Sequence, residues 1–273
     1  LSAGEGALRA WIEMRQGQPQ AATVDLALSA VALRLAAKAQ PLAIAHLQGR
    51  VAAERHEGQF KLAAEGLSFA TADGVVWPRS NFALTLREAS PTPAQALAFA
   101  GCEITADRLD LGVMAQVAAR VPLGAALAKL LAELAPTGQL SGLHASWEGA
   151  LDAPSRYQVK ASVAALSIAA APAPDAKSVG RPGWRNAAID IDASESGGKA
   201  RLVLDKGALV LPGVFEQAEV GFDTFSTQLV WRIRAAAIAG APAAIELSLA
   251  ETRFANADAQ GELSVARWQT GPG

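Results

Sequence analysis

Hydrophobic and polar residues alternate with a period of two along most of the chain. Leu8, Ala10, Ile12 and Met14 alternate with Arg9, Trp11, Glu13 and Arg15, Gln16-Gly17-Gln18-Pro19 interrupts the run, and Val24, Leu26 and Leu28 then alternate with Thr23, Asp25, Ala27 and Ser29. Successive side chains of a strand point to opposite faces, so this pattern predicts a hairpin. The same grammar recurs in Leu42 to Arg55, a turn at His56-Glu57-Gly58, Phe60 to Phe69, a turn at Ala72-Asp73-Gly74, and Phe82 to Arg87. It resumes with Tyr157 to Ile168, Ile189 to Ala193, a turn at 194–198, Ala200 to Leu204, a turn at Asp205-Lys206-Gly207, and Ala208 to Leu211. Gln228 to Arg234 and Ala244 to Leu249 complete the series. These are the strands of a mainly β, antiparallel meander.

One stretch departs from this rhythm. Val113, Met114, Val117 and Val121, then Leu123, Leu127, Leu130, Leu131 and Leu134 fall on a helical stripe, with Pro122 between the two groups. The spacing predicts a helical hairpin, or one helix kinked at Pro122, around 111–135. Pro136-Thr137-Gly138 is expected to stop it, with the glycine taking the left-handed exit. Asp107 and Asp110 precede the helix and read as N-terminal caps rather than metal ligands. The stripe needs a surface to lie on, and the sheet supplies one.

Loops are expected at Ala89-Ser90-Pro91-Thr92-Pro93 and from Ala171 to Gly183. Strands of one pattern lie on both sides of each, which favours one continuous β-rich unit over 1–273, with a subdivision into 1–150 and 151–273 left open. The chain opens Leu1-Ser2-Ala3-Gly4-Glu5, without Met or a charged-then-apolar leader, and reads as a piece of a larger protein.

Composition narrows the function classes. The 24 Lys and Arg against 26 Asp and Glu leave a net charge of −2, which offers no basic footprint for nucleic acid. Hydrophobic residues make up 51% of the chain but aromatics only 5%, so the apolar phase of the strands is aliphatic. Such a face requires a cover: a second sheet, the helix, or a ligand with long hydrocarbon chains. Burial stabilises by about 0.8 kcal/mol per methylene whichever cover supplies it. No run reaches the roughly 18–20 apolar residues of a membrane-spanning helix.

Catalytic chemistry is sparse. His46, His56 and His144 are dispersed, with no Ser elbow, His-Glu-x-x-His or glycine-rich phosphate loop beside them. Asp190 and Asp192 share one face of a strand, opposite in phase to Ile189 and Ile191, as paired carboxylates would, yet a solvated outer face accounts for them. Cys102 reads as a small buried hydrophobe, and a single cysteine forms no internal disulfide. The expectation is a protein without enzyme activity, metal site or cofactor.

Three stretches of the C-terminal third carry a resemblance. They are Leu211-Pro212-Gly213-Val214-Phe215-Glu216, the strand Leu229-Val230-Trp231-Arg232-Ile233, and the run from Arg253 to Leu263 followed by Trp268 and Thr270-Gly271-Pro272-Gly273. Upstream, Leu67 to Gly74 with Trp77-Pro78, and Leu123-Gly124-Ala125-Ala126-Leu127 through Leu134-Ala135-Pro136, add to it. Together they resemble the central region of the YhdP branch of the AsmA-like family. The resemblance implies a long periplasmic protein of Gram-negative envelopes, anchored in the inner membrane and reaching toward the outer membrane. It implies an extended, curled antiparallel sheet with an apolar groove, and passive movement of phospholipid along it. The implied partners are phospholipid acyl chains and the inner-membrane anchor and outer-membrane-proximal parts of the same full-length protein.

On this reading the groove candidates are Ile189, Ile191, Leu202, Leu204, Leu209, Leu211, Leu229, Trp231, Ile233, Ile245, Leu247 and Leu249, and Leu123, Leu127, Leu130, Leu131 and Leu134 form a candidate capping helix. The alternative is a structural spacer or protein-interaction module of the envelope in which the same aliphatics pack a closed core.

Overall fold

The first hairpin forms where the alternation predicts it. Gln16 and Gly17 adopt φ of 51° and 78°, the left-handed pair of a tight two-residue turn whose twist matches its strands, and Glu57 and Gly58 repeat it at 48° and 75°. The computed structural model describes residues 3–33, 42–88, 99–118, 120, 125–150, 153–172, 179–234 and 243–270. The strands are β1 (Ala3–Arg15), β2 (Gln18–Leu33), β3 (Leu42–His56), β4 (Gln59–Thr71), β5 (Val76–Glu88), β6 (Phe99–Asp110) and β7 (Thr137–Ala150). They continue as β8 (Ala153–Ile168), β9 (Gly183–Ser194), β10 (Gly197–Val210), β11 (Glu219–Arg234), β12 (Ala244–Ala255) and β13 (Gln260–Thr270). Helices α1 (Leu111–Val117) and α2 (Ala125–Leu134) lie between β6 and β7. The thirteen strands follow one another in sheet order exactly as in sequence, from edge β1 to edge β13, without closing into a barrel.

The chain divides into two compact units, one of Leu1–Ala132 with Ser141–Arg156, the other of Glu133–Leu140 with Tyr157–Gly273. In the first, β2 carries Ala30 at φ 49° and β4 carries Gly66 at 57°. In the second, Ala165, Asn186, Lys206 and Glu251 stand at 51°, 53°, 49° and 52° in β8, β9, β10 and β12. The ladders shift register beside these residues, as between Val163 and Leu166, Leu204 and Ala208, and Ser226 and Gln228. They are β-bulges, and each shifts the apolar phase by one residue: Leu26 and Leu28 are followed by Val31, and Leu62 and Ala64 by Leu67 and Phe69. Side chains recover the ladder bonds lost there. Gly66 N donates to Asn81 Oδ1 at 2.7 Å, Asn186 N to Ser167 Oγ at 3.2 Å, and Asn186 Nδ2 to the Asp205 carbonyl at 2.7 Å.

This corrects the turn read at Asp205-Lys206-Gly207. β10 runs through it, and the polar triplet with its glycine marks a bulge rather than a chain reversal. A β-branched residue tolerates a left-handed φ poorly, so Lys206→Val is expected to lower unfolding free energy by about 1–2 kcal/mol and Lys206→Gly to be tolerated. Urea denaturation checks this, and equal midpoints for the two variants would count against a left-handed Lys206.

Other expectations are revised at the element ends. β6, β7 and β13 were not predicted as strands, and most of the predicted ones are longer in the structure. The helical stretch is two helices, α1 and α2, and Pro122 lies outside the described residues. Asp110 is the N-cap of α1, its Oδ1 accepting from Val113 N at 2.9 Å. Asp107 is not a cap. It lies in β6 and accepts from Asn81 N at 2.8 Å and Asn81 Nδ2 at 2.6 Å. After α2 the left-handed exit is Ala135, φ 40°, while Gly138 is already inside β7. Of the expected loops, 89–93 lies outside the described residues, and Ala171 bridges to Arg181 on either side of the undescribed 173–178.

Within the first unit the strand ends next to α1 hold a closed core. Val31, Leu42 and Ile44 are buried, with Leu28, Leu47 and Phe69 packed on them, and Leu109, Val117 and Ala118 are buried nearby in sequence to the β6–α1 junction. The turn beside it is tied down where Arg120, just past α1, forks onto Asp73 between β4 and β5, and this holds the Asp73 carboxyl well below the usual carboxylate range.

Candidate functional site

Strand pairing places the sequence-predicted groove residues side by side in the second unit. Ile189 stands opposite Leu202 and Ile191 opposite Ala200 in the β9–β10 pair. Across β11 and β12, Leu229 faces Leu249, Trp231 faces Leu247 and Ile233 faces Ile245. β10 joins the two sets, with Ala200 opposite Leu229 and Gly198 opposite Trp231. A Cβ on Gly198 would lie 2.6 Å from Trp231 Cζ2, so the glycine is the slot in which the indole lies flat against the sheet. Beyond the bulge Leu209 takes the same face opposite Trp184 and Val220. Leu211 lies just past β10, in the loop closed by its own amide donating to the Ala218 carbonyl at 2.6 Å.

Burial grades along this face. Leu204 is 0% exposed and Leu202 7%, whereas Ile245 is 43% exposed and Ile189, Ile191, Leu229, Trp231 and Leu247 are half-buried. Near the bulges a Thr227–Thr252 hydroxyl pair at 2.7 Å is buried in the apolar field, each group satisfying the other. Phe222, Phe225 and Phe254 cluster next to it, with ring centroids 5.2 and 6.5 Å apart. Of the helix leucines, Leu131 is buried, Leu134 half-buried and Leu130 49% exposed. Leu123 and the side chain of Leu127 lie outside the described residues. The end of α2 is held within this unit, where Arg181 donates to the Glu133 carbonyl at 2.6 Å and Ala169 N to the Leu134 carbonyl at 2.8 Å.

The first unit carries an equivalent face that the site prediction did not include. Leu28, Leu47, Phe69 and Trp77 line up across β2 to β5, with Phe69 and Trp77 stacked at 5.5 Å. Leu62, Leu84 and Ile104 line up across β4 to β6, and Val24 stands opposite Val51. The signal was present: Val24, Leu26 and Leu28 already alternate with polar residues. Most of these side chains are half-buried, and at the β1 edge Leu8, Ile12 and Met14 are 59–62% exposed. Apart from α1 against β6, the described elements pack on their neighbours in the ladder, so among the described residues each unit is a sheet one layer thick over most of its apolar face.

The opposite face is polar and internally paired. Arg50 forks onto Asp25 at 2.7 and 3.2 Å, which lowers the Asp25 carboxyl's pKa. Asp190 accepts from Ser162 Oγ at 2.6 Å, and Asp192 stands in register between Lys160 and Lys199. These two aspartates are engaged by the strand neighbours of a solvated face. Cys102 is buried on the apolar side, and desolvation pushes its thiol up to about 11, so it is uncharged at neutral pH. Among the described residues no group of three or more His, Cys, Asp or Glu is placed to hold a metal ion, and no helix is long and apolar enough to cross a membrane.

A family model described as YhdP protein matches residues 1–268. The chain belongs to the YhdP family. No curated protein and no solved structure matches it. YhdP is an AsmA-like family and not a known enzyme family. The long antiparallel sheet found here is the architecture its resemblance implied, and it is compatible with a bridge-like lipid-transfer protein.

Proposed function

We propose that this chain is a stretch of an envelope bridge along which phospholipid moves passively between inner and outer membranes, in the periplasm of a Gram-negative cell. The observation that carries the reading is the single-layer sheet in each unit, with one aliphatic face left half-exposed. A core-forming face of that size would ordinarily be covered, because each uncovered methylene forgoes about 0.8 kcal/mol. Acyl chains supply the cover. Repeated aliphatic side chains hold hydrocarbon without fixing any one position, so a chain can slide, and no catalytic group is required. The polar face keeps the other side in water.

A spacer with a closed core is the second reading, and the burial of Leu202 and Leu204 favours it at that end of the face. Solvent extraction of the purified, folded protein followed by mass spectrometry separates the two. The conduit reading expects co-purifying phospholipid. A lipid-free extract from well-folded protein would overturn it.

A further inference from the structure

The apolar face of the first unit ends, at the hairpin-turn side, in a hollow of about 510 Å³ with an ion pair at its rim. That volume lies in the range of ligand sites, about 300–1,000 Å³. Its floor is Ala22, Ala53, Phe60 and Leu86. Arg55 of β3 is in register with Phe60, Phe60 with Leu86, and Glu88 lies two residues beyond Leu86 on the same face. Arg55 and Glu88 therefore stand on the apolar side, one strand apart on either side of Phe60, and meet at 2.8 Å through Nη2 and Oε1. Two other cross-strand ion pairs, Arg50–Asp25 and Arg234–Glu246, lie on the polar face.

The pair is also more exposed than its polar-face counterpart. The Arg55 side chain is 67% exposed, against 50% for Arg50, which forks onto Asp25. Glu54, the neighbour of Arg55 in β3, points to the other face and stands opposite Lys61. One cation and one carboxylate thus stand where hydrocarbon gives way to water.

We infer that this rim reads the head group of a zwitterionic phospholipid, one bearing both a phosphate and an ammonium. The inference rests on the conduit reading and adds a selectivity to it. The phosphate takes the guanidinium, which is built for two-pronged contact with such oxygens, and the ammonium takes Glu88, so two charge-assisted contacts replace one. The acyl chains lie on the floor formed by Phe60 and Leu86. An anionic head group without an ammonium sets its charge against Glu88. A diacylglycerol engages neither side chain.

The test incubates purified full chain with vesicles of equal phosphatidylethanolamine and phosphatidylglycerol plus a minor diacylglycerol, re-isolates the protein, and measures bound lipid by mass spectrometry. Wild type is expected to enrich phosphatidylethanolamine over phosphatidylglycerol by about two- to fivefold, the scale of exposed charge contacts. The enrichment should fade at high salt. Glu88→Gln is expected to erase the preference, and Arg55→Gln to lower both phospholipids relative to diacylglycerol. Lipid bound by wild type in vesicle proportion, or an unchanged ratio in both variants, would overturn the head-group assignment while leaving the conduit standing. Folded wild type with no bound lipid of any kind would overturn both.

Discussion

Leu229→Glu is expected to reduce the phospholipid held on the apolar face of the second unit by at least about tenfold while leaving the protein's stability within about 1 kcal/mol of wild type. Leu229 stands in the middle of the apolar face of the second unit, opposite Ala200 on β10 and Leu249 on β12. Because it is half-buried, a carboxylate there reaches water in the lipid-free protein and costs the fold little. With hydrocarbon laid over the face the same carboxylate is desolvated, at about 2.5–3.5 kcal/mol, which is about a hundredfold in local occupancy. The neighbouring residue provides the control. Val230 is 45% exposed on the opposite face, so Val230→Glu adds the same charge one position along and should leave lipid content unchanged. Mass spectrometry of extracted lipid and a urea midpoint give the two readouts. Equal lipid loss in both variants would show that added charge, and not the face, controls binding.

Leu204→Ala is expected to cost about 2–5 kcal/mol, the largest stability loss of any single truncation among the predicted groove residues. Its side chain is 0% exposed, with Ala187 and Phe225 as its strand partners, so the deleted atoms leave a cavity. Ile191→Ala, on the adjacent strand but half-buried, should cost roughly 1 kcal/mol, because water already reaches part of the deleted surface. Urea denaturation measures both. The difference locates where the apolar face stops being a core and starts being a surface. If the two truncations cost the same, the gradient of burial along the face has no energetic counterpart.

How far this arrangement could be read in advance differs from element to element. The hairpins at Gln16-Gly17 and Glu57-Gly58 were legible because a left-handed pair ending in glycine between alternating runs has few other uses. The Asp205-Lys206-Gly207 turn failed for the same reason: a bulge and a tight turn both call for a residue at positive φ and a polar, glycine-bearing triplet. β6 and β7 were missed because their alternation is diluted by residues such as Arg108, Gly138 and Gly142. Asp107 was read as a cap because it precedes the helix, whereas its partner, Asn81, is 26 residues away on β5.

The chain's own pattern determined that it forms a meander of antiparallel strands with one aliphatic face, since a period of two leaves no other way to segregate these residues. It also determined a helical stretch around 111–135, which the structure resolves into two helices, and the absence of recognisable catalytic spacing. What only the tertiary structure decided is which aliphatic residues are closed off and which remain a surface. Leu204 and Ile191 have the same place in the alternation, yet one is sealed and the other is half-open, because burial depends on what lies over the sheet and not on the phase of the strand. The meeting of Arg55 with Glu88 above Phe60 was decided the same way: their 33-residue separation carries no local signal, and three strands in register bring them together.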